Sequence, residues 1–296
     1  MKRYCNEKNC LIKRTAIAKI SLILSVILAV AATLGGCSVK DDFDIKCVYL
    51  DAGQGDSTLI VTSEGYTVMI DTGAPGSTDK IVASLLSYGV EKIDALILSH
   101  FHEDHVAGTH EVLERFDVTE LWCLEGADNY ITESIVNTAK EQNTKLVYAA
   151  EGDSLTLGNS ILLSIDVLCA SAEGKTGDEN ENSLIIRASY LDFSALFMAD
   201  AGHKTEEYLL ENRMEAVNCD ILKVGHHGSD SSSSEDFIKA ADPQIAVISC
   251  EKNNPYGHPH KLTEDILKKY CEYTVYTYDG NFEVLIKGAE ISFKRN

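Results

Sequence analysis

The sequence predicts one α/β domain with two strand-rich halves. Three observations carry this expectation. Short runs rich in Val, Ile and Leu alternate with amphipathic segments at helical spacing from residue 45 onward. No internal repeat and no linker-like stretch divides the series. Polar clusters follow directly on the apolar runs, which is where α/β sheets carry their loop-borne chemistry.

The first 36 residues read as a targeting segment and are set aside from the fold. Lys2, Arg3, Lys8, Lys13, Arg14 and Lys19 form a basic leader, and the apolar run Ile20–Leu34 follows. That run is shorter than the roughly twenty residues that cross a bilayer. It ends at Leu34-Gly35-Gly36-Cys37, which is similar to a bacterial lipobox. Cys37 is then the expected lipid attachment point, and the rest of the chain is expected outside the cytoplasm, anchored to the outer face of the membrane. Residues 37–44 read as an acidic tether and 45–296 as the folded domain.

Strands are expected at Ile45–Leu50, Ser57–Val61 and Tyr66–Ile70, the last two joined by a turn at Glu64-Gly65. Ser77–Tyr88 has the spacing of an amphipathic helix, with Gly89 placed to end it. The next strand is expected at 93–98, and others at 121–124, 145–148, 161–168, 183–190 and 193–198. Helical patterns at 130–142 and 203–212 separate some of these. In the last third, strands at 220–224, 245–249 and 274–278 alternate with helices near 235–240 and 262–270. Gly174–Asn182 is the most polar stretch and reads as a loop.

The formal net charge is −20, with 46 acidic against 26 basic residues. Six of those basic residues lie in the leader, so the remainder is more acidic still. Binding of nucleic acid without sequence preference depends on Lys and Arg at phosphates, so this balance argues against a broad DNA-binding face. Beyond Cys37, Cys47, Cys123, Cys169, Cys219, Cys250 and Cys271 show no CxxC spacing, and most lie in apolar runs. They are expected to be buried thiols acting as small hydrophobes.

All nine histidines follow residue 99, and seven fall in three short clusters. The first is Ser99-His100-Phe101-His102-Glu103-Asp104-His105, directly after an apolar run. Imidazole and carboxylate are the ligands that divalent first-row metals prefer, so His100, His102, Asp104 and His105 are candidate ligands of a binuclear centre. Asp200 emerges from the end of another apolar run, where a carboxylate can bridge two cations. The pair His226/His227 also ends a strand; one is expected to ligate and the other to orient substrate or a ligand, with His226 favoured as the ligand. The turn-rich segment Asn254–His260 could place His258 over the centre.

Together these segments resemble the metallo-β-lactamase superfamily, through His-x-His-x-Asp-His at His100–His105, the late Asp200, and His226 or His227. Within it the chain is similar to the ComEC-type hydrolase domain of competence DNA-uptake channels. The matching segments are Asp51–Ser57, Asp71-Thr72-Gly73, Asn182-Ser183-Leu184, Lys223–Ser229 and Tyr256-Gly257-His258-Pro259. The resemblance implies an αββα four-layer sandwich with metals at one edge of the two sheets. It also implies Asp104, His258 and His227 as catalytic residues and Asp56, Asn182, Ser229 and His260 as substrate contacts. Many members carry one further histidine between the first cluster and the bridging aspartate. Here Asp178, Asn180 or Asn182 is expected to line that place.

The expected activity is metal-assisted hydrolysis of a phosphodiester by an activated hydroxide, with two Zn²⁺ or Mn²⁺ ions. DNA is one candidate substrate and the phosphorylcholine esters of teichoic acid another. A non-catalytic, metal-stabilised binding lipoprotein is the alternative of a different class.

Overall fold

The alternating apolar runs assemble into two mixed sheets. In the computed structural model, residues 42–125, 130–170 and 179–295 are described; the leader, Cys37 and Asp178 lie outside them. The first sheet contains β1 (Ile45–Tyr49), β2 (Thr58–Thr62), β3 (Thr67–Ile70), β4 (Lys92–Ile97), β5 (Asp117–Cys123), β6 (Lys145–Tyr148), β14 (Phe282–Lys287) and β15 (Glu290–Arg295). Their order is β15-β14-β1-β2-β3-β4-β5-β6. The second contains β7 (Ser154–Leu157), β8 (Leu163–Ala170), β9 (Leu184–Tyr190), β10 (Phe193–Phe197), β11 (Ile221–Lys223), β12 (Ile245–Ile248) and β13 (Tyr273–Tyr276). It runs β13-β12-β11-β10-β9-β8-β7.

Each sheet is antiparallel on one side and parallel on the other. The parallel parts are β3–β6 and β10–β13. Parallel strands need covered crossovers, and helices supply them on both outer faces. Ile81, Val82 and Leu85 of the helix Thr78–Ser87 pack with Leu59, Met69 and Leu96 on the first sheet. Leu209, Phe237, Ile238 and Leu267 cover Leu196, Leu222 and Ala246 on the second. Between the sheets lies a third core that includes Tyr49, Ile60, Ile97, Ile165, Phe197 and Ile221. Tyr49 and Phe197 stack across it with ring centroids 6.0 Å apart. The layers are therefore α, β, β, α. Each fully buried aliphatic side chain in these cores contributes about 1.5–3 kcal/mol.

Strand and helix positions follow the sequence expectation closely where periodicity is strong. β7, β14 and β15 are additional to it, as is the short helix Glu103–Val106. β14 pairs with β1 in the register Tyr49↔Phe282, a contact between opposite ends of the domain. The six described cysteines are free thiols, five of them buried. Burial pushes the Cys47 thiol up to about 12, which keeps it protonated and unreactive. No helix among the described residues is long and apolar enough to cross a membrane.

Asp44 departs from its expected place in the tether. It is buried and belongs to the fold. Its carboxylate accepts from Gly288 N (2.8 Å), Lys287 Nζ (3.0 Å) and, on the other sheet, Tyr190 Oη (3.0 Å). The Gly288 amide, with Lys287 and Tyr190, holds the carboxyl below the usual carboxylate range against the cost of burial. Asp44→Ala should destabilise the protein by about 1–3 kcal/mol in urea unfolding at pH 7. A depressed native pKa stabilises only above the unfolded value of roughly 4 and is lost as pH falls through the native one. The gap between wild type and variant should therefore narrow on acidification below about pH 4.

Candidate metal centre

The loops leaving the C-terminal ends of the parallel strands of both sheets meet at one place. Asp71 follows β3, the first histidine cluster follows β4, Asp200 follows β10, and His226/His227 follow β11. His102 is extended, and the helix Glu103–Val106 then turns the chain. The turn sends Asp104 and His105 to a different position from His100 and His102, although the four lie within six residues. Two backbone clamps hold this segment. Asp56 N donates to Asp104 O (3.2 Å) and Thr72 N to His105 O (2.7 Å). Any Cβ on Gly55 would overlap that same Asp104 carbonyl, so only glycine permits the approach.

Three groups of potential ligand atoms result, each with its atoms within 4.8 Å of one another: His100, His102 and Asp200; Asp104, His105, Asp200 and His227; and, wholly buried, Asp56, Asp71 and His105. Asp200 belongs to the first two. His105 and His227 Nε2 lie 3.2 and 3.4 Å from Asp200 Oδ1, and His227 Nε2 lies 3.2 Å from Asp104 Oδ2. The rings of His100 and His105 are 4.2 Å apart, and those of His100 and His102 are 4.7 Å apart.

Each buried ring is held by its other nitrogen. His105 Nδ1 is 2.8 Å from Asp71 Oδ2, and Asp71 in turn accepts from Ser99 N (2.8 Å) and Ser99 Oγ (2.7 Å). His227 Nδ1 donates to Ser249 O (2.9 Å). Such outer contacts fix the tautomer that leaves Nε2 as the ligand atom.

The residues fit a metal. His100 Nε2, His105 Nε2 and Asp200 Oδ1 are buried and make no hydrogen bond within the described residues. Buried polar atoms without partners are costly, and these offer lone pairs within the ligand groups that share Asp200. The electrostatics agree. Against the cost of burial, Asp200 and Asp71 hold His105 well above the ordinary histidine range, and Asp200 and Asp104 do the same for His227. Burial, with the neighbouring His105, pushes His100 well below it. The site is negative enough to draw in cationic charge.

The remaining expected residues divide. His226 lies at the rim, 3.8 Å from Asp200 Oδ2, with Nδ1 on Ser231 Oγ (3.0 Å), whereas His227 enters the four-residue group. Both have left-handed backbone, φ 46° and 53°, which sends successive side chains in directions that strand alternation does not anticipate. His258 sits beside the centre, its ring 6.2 Å from His227 and 5.6 Å from His226. Burial and the neighbouring histidines lower it to about 4, so it is neutral at neutral pH.

Three expected substrate contacts are used inside the protein. Asp56 is buried beneath the centre, 2.7 Å from the equally buried Lys223 Nζ and 3.4 Å from His227 Nδ1. Ser229 is buried and accepts from Ser231 Oγ (2.9 Å). His260 accepts from Asp230 N (3.0 Å) and faces Tyr256 O (3.2 Å), stapling its loop. Asn182 lies in the loop before β9, its N–H on Glu179 O (3.2 Å). Of the residues expected to stand where relatives carry another histidine, Asn180 Nδ2 is 3.5 Å from His226 Nε2. The carboxylate that reaches the first cluster is Glu179, 3.2 Å from His102 Nε2. Sequence reasoning singled out the segments that hold Asp71, Ser99 and Lys223 but gave these three residues no role in the site, and it did not name Glu179.

A groove of about 740 Å³ opens from Asp104 past Gln54 and Glu103 to Glu251, Lys252 and Tyr256. The inner ligands are almost wholly enclosed, while the side chains of His102 and Asp104 are 41% and 33% exposed.

Residues 50–251 match the model of the metallo-β-lactamase superfamily. Sequence relatives include ComE operon protein 3 of Bacillus subtilis, 28% identical over 239 residues, which cover 75% of this chain and 30% of that protein. Recombination protein 2 of Haemophilus influenzae is 30% identical over 226 residues, 75% of this chain and 26% of that one. Competence protein ComA of Neisseria gonorrhoeae is 28% identical over 221 residues, with shares of 74% and 29%. The chain thus spans less than a third of the length of each. Among solved structures, the metallo-β-lactamase fold protein YhfI of Bacillus subtilis superposes with TM-score 0.56 at 16% identity, over 85% of this chain and all of that one. A diphosphatase of the PhnP family gives 0.50 at 14%, over 77% and 94%. At such identities these structures speak for the fold alone. Motifs, sheet order and the matched family model agree: the chain belongs to the metallo-β-lactamase superfamily.

Proposed function

We propose that the protein is a binuclear metal-dependent phosphodiesterase. The observation that carries this reading is that His100 Nε2, His105 Nε2 and Asp200 Oδ1 are buried without hydrogen bonds among the described residues, in two adjoining ligand groups that share Asp200. His100, His102 and Asp200 would hold one cation; Asp104, His105, His227 and Asp200 the other. The mixed imidazole and carboxylate set suits Zn²⁺ or Mn²⁺. When bound, such ions supply Lewis acidity to a phosphoryl oxygen and activate water near neutral pH. The protein's own groups do the rest. Asp71 and Ser249 hold the rings in place; Asp104, partly exposed, orients the attacking water. His258 offers a hydrogen bond to the phosphoryl group.

DNA as substrate is supported by the recombination and competence names of the relatives. A small envelope phosphodiester such as the phosphorylcholine ester of teichoic acid is supported by charge. Glu103 and Glu251 face the groove, and the chain carries a net charge of −20. Anchoring at Cys37 on the outer face of the membrane belongs to the same proposal.

The purified full chain, loaded with Zn²⁺ or Mn²⁺, should hydrolyse bis-p-nitrophenyl phosphate, and His102→Ala/Asp104→Ala should lower turnover at least about 100-fold. Absence of turnover by folded, metal-loaded wild type would sink the phosphodiesterase reading. Asp71→Asn keeps the shape but weakens the acceptor behind His105. Chelator competition should show metal affinity reduced by about 10- to 100-fold.

A further inference from the structure

We infer that Gln54 is a positioning residue that fixes the tautomer of His258, leaving Nδ1 unprotonated and an N–H at Nε2 for the substrate. The catalytic consequence rests on the phosphodiesterase reading; the tautomer does not.

Gln54 Oε1 accepts the backbone N–H of Glu251 at 3.0 Å. A backbone N–H can only donate, so this contact settles which end of the amide is oxygen. Gln54 Nε2 then faces His258 Nδ1 at 3.4 Å. An amide NH₂ can only donate, so Nδ1 must hold a lone pair. The ring is then neutral, with its proton on Nε2. An imidazolium could not accept this bond at all.

The rest of the loop keeps the ring where Gln54 can reach it. Asn254 Oδ1 accepts from His258 N (3.0 Å) and Tyr256 N (3.1 Å), and its Nδ2 donates to His258 O (2.6 Å). Tyr256 stacks on the imidazole, centroids 5.7 Å apart at 26°. Among the described residues Nε2 has no hydrogen-bond partner. It remains available beside the centre, where the groove past Gln54 begins.

This assigns His258 a role as neutral donor. Giving up the Nε2 proton would leave an imidazolate, and Gln54 has no proton to restore at Nδ1. His258 therefore keeps its proton throughout and stabilises negative charge on the phosphoryl oxygens. The leaving oxygen takes its proton from water.

The test uses the ¹⁵N-labelled full chain, zinc-loaded, with two-bond ¹H–¹⁵N correlation spectra and His258→Ala to assign the ring. Wild type should show a proton on Nε2 alone. Gln54→Glu, which places an acceptor at Nδ1, should move the proton there, and Gln54→Leu should give a mixture of both forms. With bis-p-nitrophenyl phosphate, Gln54→Glu should lower kcat by about as much as His258→Ala, on the order of 100-fold for a lost donor, and Gln54→Leu only by the fraction of rings in the other tautomer, about 2-fold for an even mixture. The double variant should be no worse than His258→Ala. A proton on Nδ1 in wild type, or a tautomer indifferent to residue 54, would overturn the proposal. Lack of turnover by every variant and by wild type would instead overturn the phosphodiesterase reading, with the spectra still deciding the tautomer.

Discussion

His105 ties the two sheets to one centre. Its Nδ1 meets Asp71 at the end of β3 in the first sheet, and its Nε2 faces Asp200 at the end of β10 in the second. A fully buried imidazole between two buried carboxylates is tolerable only if charge is matched across the set. The other parts of the site can be understood as meeting that condition. Ser99 supplies two hydrogen bonds to Asp71, and His227 Nε2 faces the same Asp200 oxygen as His105 does. A cation held by the two groups that share Asp200 would complete the match.

Behind this lies a second buried pair, Lys223 with Asp56. Lys223 ends β11, and its ammonium also donates to Val224 O at 2.9 Å. The pair brings a positive charge under a cluster of carboxylates without exposing it to the groove. Burial works against the ionised form of Asp56, but Lys223 and His227 hold the carboxyl well below its usual range. Removing either partner would leave the other charge buried and alone, which is far costlier than the pair itself.

The backbone shares the cost of assembly. Asp71, Ala199, His226 and His227 all have positive φ, each at or just beyond a strand that feeds the site. Such conformations cost about 1–3 kcal/mol each and persist when the surroundings over-determine them. Here the surroundings are parallel strands fixed by three hydrophobic layers and loops clamped to one another through Asp56, Thr72 and Gly55. Rigid strands carry the ligands, while the exposed face is left to Asp104, His102 and the loop that bears His258.

The sequence by itself determined an α/β domain with two strand-rich halves and the first ligand cluster, while the four-layer arrangement was implied by the family resemblance. Period-two and helical patterns are local, and His100–His105 lie within one loop, so their chemistry can be read without knowing what they face. Asp200 was legible for the same reason, as a carboxylate at the end of an apolar run. Tertiary structure alone decided the rest. β14 was not evident because its partner β1 lies at the other end of the domain. Asp56 looks like a substrate contact until Lys223 is seen beside it, and Glu179 looks like ordinary loop polarity until His102 is found 3.2 Å away. The choice between His226 and His227 turns on two left-handed residues in succession, a backbone state that neighbouring residues do not encode and only the packed loop enforces.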